Sequence, residues 1–266
     1  MKPIKTSATH SVLKSVDLQI GYHHKSVVST VAQEINFDVH PGELVAVVGT
    51  NGIGKSTLLR TLSDLQPKLS GEILLNNTPL SKLSANQLAK QLSIVLTEGI
   101  PTKNLSVLEV IALGRQPYTN WIGSLSDRDI AVVKSVLKDT GLNDLKEKKC
   151  YQLSDGQFQR VMIARALAQD TALIILDEPT THLDIYHKAY VLKMLKNIAK
   201  TTAKSIVFST HEIALALQLC DKVLILKKEK SNFGTPKELI QQGRFSDLFE
   251  SDLITFDPQT ASFKIN

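Results

Sequence analysis

The hydrophobic pattern breaks the chain into short strand-like segments and longer helical ones. Residues 12–37, closed by a turn over 38–42, read as two β segments of an antiparallel N-terminal layer. Apolar runs at 44–48, 92–96, 173–176 and 205–209 are short strands, and from Ala172 to Leu226 strands and helices alternate in the manner of a parallel sheet. Residues 68–77 carry further strand and turn signals, and a helix-rich insertion runs from about Ser84. Ser106-Val107-Leu108-Glu109 and Ser126-Asp127-Arg128-Asp129 have the spacing of helix N-terminal capping boxes, with Gly141 closing the second helix. Thr235-Pro236-Lys237-Glu238 caps a last short helix.

Two strings about a hundred residues apart carry the chemistry. Gly49-Thr50-Asn51-Gly52-Ile53-Gly54-Lys55-Ser56-Thr57 is a complete G-x-x-x-x-G-K-S loop between a strand and a helix beginning near Lys55. Glycines let backbone N–H groups and the helix N-terminus face a phosphate. Lys55 is placed to reach the β/γ-phosphates and the Ser56 hydroxyl to ligate Mg²⁺. In the second string, Leu153-Ser154-Asp155-Gly156-Gln157, Ser154 reads as the N-cap of an amphipathic helix over 158–167, a second anion site. The run 173–176 ends in Asp177-Glu178, a buried strand that delivers two acids at its C-terminal edge, where open α/β sheets place ligands.

With these motifs in place, the chain resembles the ATP-binding cassette (ABC) ATPases, from Val12 to about Pro236. The resemblance implies a P-loop α/β fold with a mixed central sheet, an antiparallel β layer at the N-terminus and a helical insertion subdomain. One ATPase domain is expected over 10–240, with the helical subdomain at about 84–160 and a short C-terminal extension over 241–266. ATP is the implied substrate, bound by Gly49, Asn51, Gly52, Gly54, Lys55, Ser56 and Thr57 and by Tyr22, whose ring would stack on adenine. Ser154, Gly156 and Gln157 of the signature motif would meet the γ-phosphate held by a second copy of the chain, with Asp184 near the dimer seam. Asp177 would hold Mg²⁺, Glu178 polarise the attacking water and His211 contact the γ-phosphate. Catalysis is thus assigned to Glu178, His211 and Lys55, and metal binding to Ser56, Asp177 and Glu98.

Two positions depart from the family pattern. Asp155 stands where glycine is usual, and its side chain is expected to point away from the nucleotide. Glu98 stands where a strand end normally carries the glutamine that senses Mg²⁺ and couples to the transport partner. Glutamate keeps an oxygen for the metal but adds a full negative charge beside ATP.

Within the family, the stretch 108–118, the Thr181-His182-Leu183-Asp184 loop and the stretch 210–217 are similar to the ATPases of bacterial importers of iron–siderophore complexes, haem and cobalamin. That similarity implies a transmembrane permease docked on the helical subdomain, with Tyr118 and Trp121 as candidate contacts and equally readable as local core aromatics. It also implies a homodimer and, indirectly, a periplasmic or lipoprotein substrate-binding protein. Another ABC transporter ATPase, including an exporter's, or a non-transport ABC ATPase acting on nucleic acid, is the alternative. The latter class inserts long coiled coils between the two motifs, and no sustained heptads occupy that interval here.

Bulk properties fit this picture. The chain's 266 residues, 42% hydrophobic, suffice for one large α/β domain. No apolar run approaches the roughly 20 residues that span a bilayer, and nothing behind Met1-Lys2-Pro3 resembles a secretory h-region, so a peripheral place on the cytoplasmic side of the inner membrane is expected. The net charge of +5 is scattered, with local runs at 146–149 and 227–230 that read as solvated faces or loops and are equally compatible with a mild attraction to an anionic membrane surface; no nucleic-acid partner is expected. Cys150 and Cys220 have no metal-ligand spacing and read as reduced thiols.

Overall fold

The computed structural model describes residues 10–24, 27–97, 104–246, 248 and 253–266. In chain order the elements are β1 (Leu13–His24), β2 (Val27–Val39), β3 (Leu44–Val48), α1 (Lys55–Leu62), β4 (Ser70–Leu75), β5 (Thr78–Pro79), α2 (Ala85–Ala89) and β6 (Leu92–Val95). There follow α3 (Val107–Ala112), α4 (Asp127–Asp139), α5 (Asp155–Ala168), β7 (Leu173–Leu176), α6 (Ile185–Thr202) and β8 (Ser205–Ser209). The chain ends with α7 (Ile213–Leu219), β9 (Lys222–Ile225), β10 (Asn232–Gly234), α8 (Pro236–Gln241), β11 (Ile254–Asp257) and β12 (Ser262–Ile265).

Among the described residues the central sheet has the order β10-β9-β3-β8-β7-β6. Its strands β9, β3, β8, β7 and β6 are parallel, and β10 pairs antiparallel with β9 at one edge. A separate antiparallel sheet has the order β2-β1-β4-β5, so the strand signals at 68–77 belong to the N-terminal layer. The central strands are apolar throughout because both faces are covered. Leu44, Ala46 and Val48 pack with the helices on one side, while Val45 and Val47 pack with the antiparallel sheet on the other. Ile174 and Leu176 against Leu173 and Ile175 divide in the same way.

Caps fix where the helices start. Ser106, Ser126, Ser154 and Thr235 each form a complete capping box with the residue three positions on. The box at Ser154 starts α5 at Asp155, three residues before the stretch where apolar periodicity begins. Gly141 follows α4 with φ +64°, the left-handed conformation that ends a helix. Beyond α8 the tail folds back as the β11–β12 hairpin, whose Phe256 stacks on buried Phe245 with ring centroids 5.1 Å apart.

Candidate active site

The parallel strands bring three loops to one edge of the central sheet. After β3 the chain turns through Gly49 to Gly54 and enters α1, whose N-cap Gly54 has φ +107°. A Cβ at Gly54 would overlap the Val31 side chain, so the layer beneath the loop demands glycine there as well as the backbone angle. No side chain caps α1 and no acid sits in its first turn, so its N-terminal N–H groups face the loop with their positive end uncompensated.

Lys55 lies at the centre, 5% exposed, its ammonium donating to the carbonyls of Gly49 at 2.9 Å and Thr50 at 3.2 Å, with His211 Nδ1 at 3.5 Å. Burial lowers its pKa from the ordinary lysine value, and the charges of Glu178 and Asp177 oppose that fall. Ser56, one residue on, donates from Oγ to Asp177 Oδ1 at 3.1 Å. The same carboxylate oxygen accepts from Ser209 Oγ at 2.7 Å.

Asp177 is 2% exposed, and its second oxygen, Oδ2, has no hydrogen-bond partner among the described residues. A buried carboxylate oxygen without a donor is costly unless a cation or water meets it. With the Ser56 hydroxyl adjacent, this is an all-oxygen donor set suited to Mg²⁺, which takes one or two protein oxygens and completes its shell with phosphate and water. The residues present therefore fit the ion. Glu98, expected to join them, lies outside the described residues.

Glu178 adopts φ +49°, which side chains tolerate only at a cost. Its backbone N–H donates to Ser209 Oγ at 2.8 Å, which holds the turn. Its carboxylate bonds to His211 Nε2 at 2.7 Å through one oxygen and accepts from Thr181 Oγ1 at 3.0 Å through the other. Burial alone would raise this carboxyl, but the bonds from His211 and Thr181, with the charges of His211 and Lys55, hold it below the ordinary glutamate value. It is an ionised carboxylate at neutral pH, able to accept a proton.

Tyr22, near the end of β1, donates or accepts a 2.9 Å hydrogen bond between its hydroxyl and Thr57 Oγ1 while its ring stays half exposed. Together Tyr22, Asn51, Gly52, Gly54, Lys55, Ser56, Thr57, Glu178 and His211 line one cleft of about 460 Å³. Ser154, Gly156, Gln157 and Asp184 are not among its lining residues. Ser154 instead caps α5 and is tied to Gln157 in both directions. Asp184 caps α6, accepting from His187 N at 2.8 Å. No motif assigns Ser209 or Thr181 an individual role at the site. The one signal for Ser209 is its place at the end of the short strand 205–209, just before Thr210-His211.

Fold and site together define a phosphate-loop nucleoside triphosphatase: a mixed α/β sheet with a glycine loop, a buried lysine, and a serine–aspartate pair at one edge. The family model of the ABC transporter matches residues 32–181. The chain is 36% identical over 241 residues to an ABC transporter ATP-binding protein of Methanocaldococcus jannaschii, covering 90% of this chain and 81% of that one. It is likewise 36% identical to a petrobactin import ATP-binding protein of Bacillus anthracis (86% and 84% covered). An iron(3+)-hydroxamate import ATP-binding protein of Bacillus subtilis is 33% identical (93% and 91% covered). Among solved structures, an inward-facing ABC transporter of metal-chelate type superposes with a TM-score of 0.76 at 29% identity, over 90% of this chain and 89% of that one. A dimeric ATP-binding cassette bound to ADP and Pi gives 0.72 at 27% identity (84% and 98% covered). The chain belongs to the ABC transporter family and is its ATP-binding, ATP-hydrolysing component.

Proposed function

We propose that this ATPase energises the uptake of an iron chelate, a siderophore or haem, or of cobalamin, through a membrane permease. The observation that carries the enzymatic part is the convergence of Lys55, the Ser56–Asp177 pair and the Glu178–His211 pair on one cleft. The cargo rests on the relatives, named for petrobactin and iron(3+)-hydroxamate import.

In this reading adenine stacks on Tyr22, the phosphates lie against the N–H groups from Gly49 to Thr57, and Lys55 exchanges the Gly49 and Thr50 carbonyls for the β/γ-phosphates. Ser56 and Asp177 would hold Mg²⁺, the role to which Glu98 is also assigned from the sequence, and the ion would supply neutralisation of phosphate charge. Glu178 accepts a proton from the attacking water, and His211 fixes the carboxylate's orientation and faces the γ-phosphate. Ser154, Gly156 and Gln157 come from a second copy of the chain, with Asp184 at the seam, which accounts for their place outside the cleft. ATP favours the closed homodimer, and that preference is the free energy available to move the permease.

The permease contacts the helical region within about 84–160, where Leu105, Glu109, Ala112, Leu113, Gln116 and Thr119 are among the residues lining a groove of about 440 Å³. Its occupant is a cytoplasmic helix of the permease that sets apolar side chains against Leu105, Ala112 and Leu113. Tyr118 and Trp121 stand beside it, and Trp121 is 93% exposed, which favours a contact role over a core role. No helix among the described residues is long and apolar enough to cross a membrane. In this reading the ATPase is held peripherally on the cytoplasmic side of the inner membrane by its permease, as in the importers it resembles, with a substrate-binding protein acting across the membrane.

Capture of tagged Glu178→Gln protein with Mg-ATP from detergent-solubilised cells, followed by mass spectrometry, tests the proposal. Co-purification of a multi-span permease of the iron or cobalamin type is expected. Recovery of nucleic-acid-associated partners and no membrane protein would overturn the transport reading and leave the ATPase intact.

A further inference from the structure

Arg115 is a buried charge that the hydrolytic site does not use. It sits in the 3₁₀ turn Leu113–Tyr118, with its side chain 3% exposed. Its Nε donates to Asp129 Oδ1 at 2.8 Å and its Nη1 to the Ala168 carbonyl at 2.7 Å. The guanidinium carbon lies 4.1 Å from the centroid of the Tyr118 ring. Three elements thus meet on one side chain: the turn beside the groove, the first turn of α4, and the last residue of α5. The fit is close, since a Cβ on neighbouring Gly114 would overlap the Arg165 carbonyl of α5.

The segment leading into the other end of α5 is also tied to the groove-lining chain. Cys150 N donates to Leu105 O at 2.9 Å and Val107 N to Lys148 O at 3.0 Å, and the segment 146–152 then runs directly into Ser154. Leu105 and Glu109 line the groove before and within α3, and Leu113, Gln116 and Thr119 line it beyond the end of α3. The groove-lining segment 105–119 is therefore bonded both to the last residue of α5 and to the segment leading into its first turn, which carries the signature residues. A buried ion pair adds little stability over an apolar filling of the same volume, so stability alone is a weak reason for Arg115. A planar fork that satisfies a carboxylate, a helix-terminal carbonyl and a ring face together fixes relative position, and lysine cannot do the same.

We infer that Arg115 is a positioning residue: it sets α5 relative to the permease groove, so that displacement of the 113–119 wall is delivered to Ser154 at the far end of the helix. The inference rests on the proposed dimer and docking site.

The test compares Arg115→Lys, and the double variant Arg115→Met with Asp129→Asn that removes both charges, with Glu178→Gln protein as background. Monomer affinity for a fluorescent ATP analogue, ATP-driven dimerisation by analytical ultracentrifugation and, with Glu178 intact, kcat are measured. Thermal unfolding selects folded variants, and the double variant serves if Arg115→Lys fails to fold. Dimerisation and kcat are expected to fall by about 10- to 100-fold, as for a reacting group displaced by a fraction of an ångström to an ångström, with monomer ATP affinity unchanged. Unchanged dimerisation and kcat in folded variants would overturn Arg115's role alone. A parallel loss of ATP affinity would also overturn it, since it would report general damage to the cleft. Failure of the unsubstituted Glu178→Gln protein to dimerise with ATP would remove the dimer reading and this inference with it.

Discussion

Ser209 ends β8 and Asp177 directly follows its parallel neighbour β7, and the serine hydroxyl donates to Asp177 Oδ1 at 2.7 Å while accepting from the backbone N–H of Glu178 at 2.8 Å. One buried hydroxyl therefore orients both acids that follow β7. It leaves Asp177 Oδ2 turned to no protein donor among the described residues and holds the left-handed backbone of Glu178 in place.

Ser209→Ala should leave the part-buried Glu178 N–H without its partner and cost about 1–3 kcal/mol of stability. Urea unfolding measures that loss. ATP turnover should fall as well, with a higher Mg²⁺ requirement, because Asp177 is no longer fixed. A variant as stable and as active as the parent would show that Ser209 only fills space.

Lys55 and Glu178 should separate binding from chemistry. Lys55→Ala removes the buried ammonium, and ATP affinity is expected to drop about 10- to 100-fold, the worth of one charged hydrogen bond at about 1.5–3 kcal/mol. Glu178→Gln should bind ATP as tightly as the parent while turnover falls about 10²- to 10⁴-fold, as expected for loss of a general base. Equilibrium binding of a fluorescent ATP analogue, set beside steady-state phosphate release, distinguishes the two.

Glu98 tests the family departure. If it serves the metal or its water, Glu98→Gln should shift the Mg²⁺ dependence of turnover by removing a charge, and Glu98→Ala should depress turnover. Mg²⁺ titrations of ATPase activity read both. Activity and transport untouched in both variants would exclude that role.

Asp129 predicts an acid-sensitive contribution to stability. Hydrogen bonds from Ser126, then from Arg115, hold it at about 2 against the effect of burial, below the ordinary 3.8. A carboxyl depressed in the folded state adds stability that is fully present above its unfolded pKa and is lost as pH falls through the folded value. Between pH 3.8 and about 2 the parent should therefore lose more stability than Asp129→Asn. Urea midpoints across that window give the comparison, and equal losses would remove Asp129 as a source.

Much of the site was legible because its chemistry is written in local runs. The Gly49–Thr57 loop, the Asp177-Glu178 step and His211 each end an apolar strand, and parallel sheets collect strand ends at one edge. Ser209 escaped because a serine at the end of a strand carries no local mark of what it faces; only the pairing of β7 with β8 sets it against Asp177. The Arg115–Asp129 contact spans two elements and reads in sequence as ordinary surface charge. The C-terminal hairpin was likewise illegible, since its anchor is the packing of Phe256 on Phe245.

Taken alone, the sequence determined the phosphate loop, the capped helices, the buried strands and the family, because each depends on residues within a few positions of one another. Tertiary structure decided which oxygen of Asp177 is left for a cation, that Glu178 and His211 touch, and that Arg115 joins the last residue of α5 to α4 beside the groove. Those relationships come from strand order and helix packing, which bring together side chains that the chain itself separates by tens of residues.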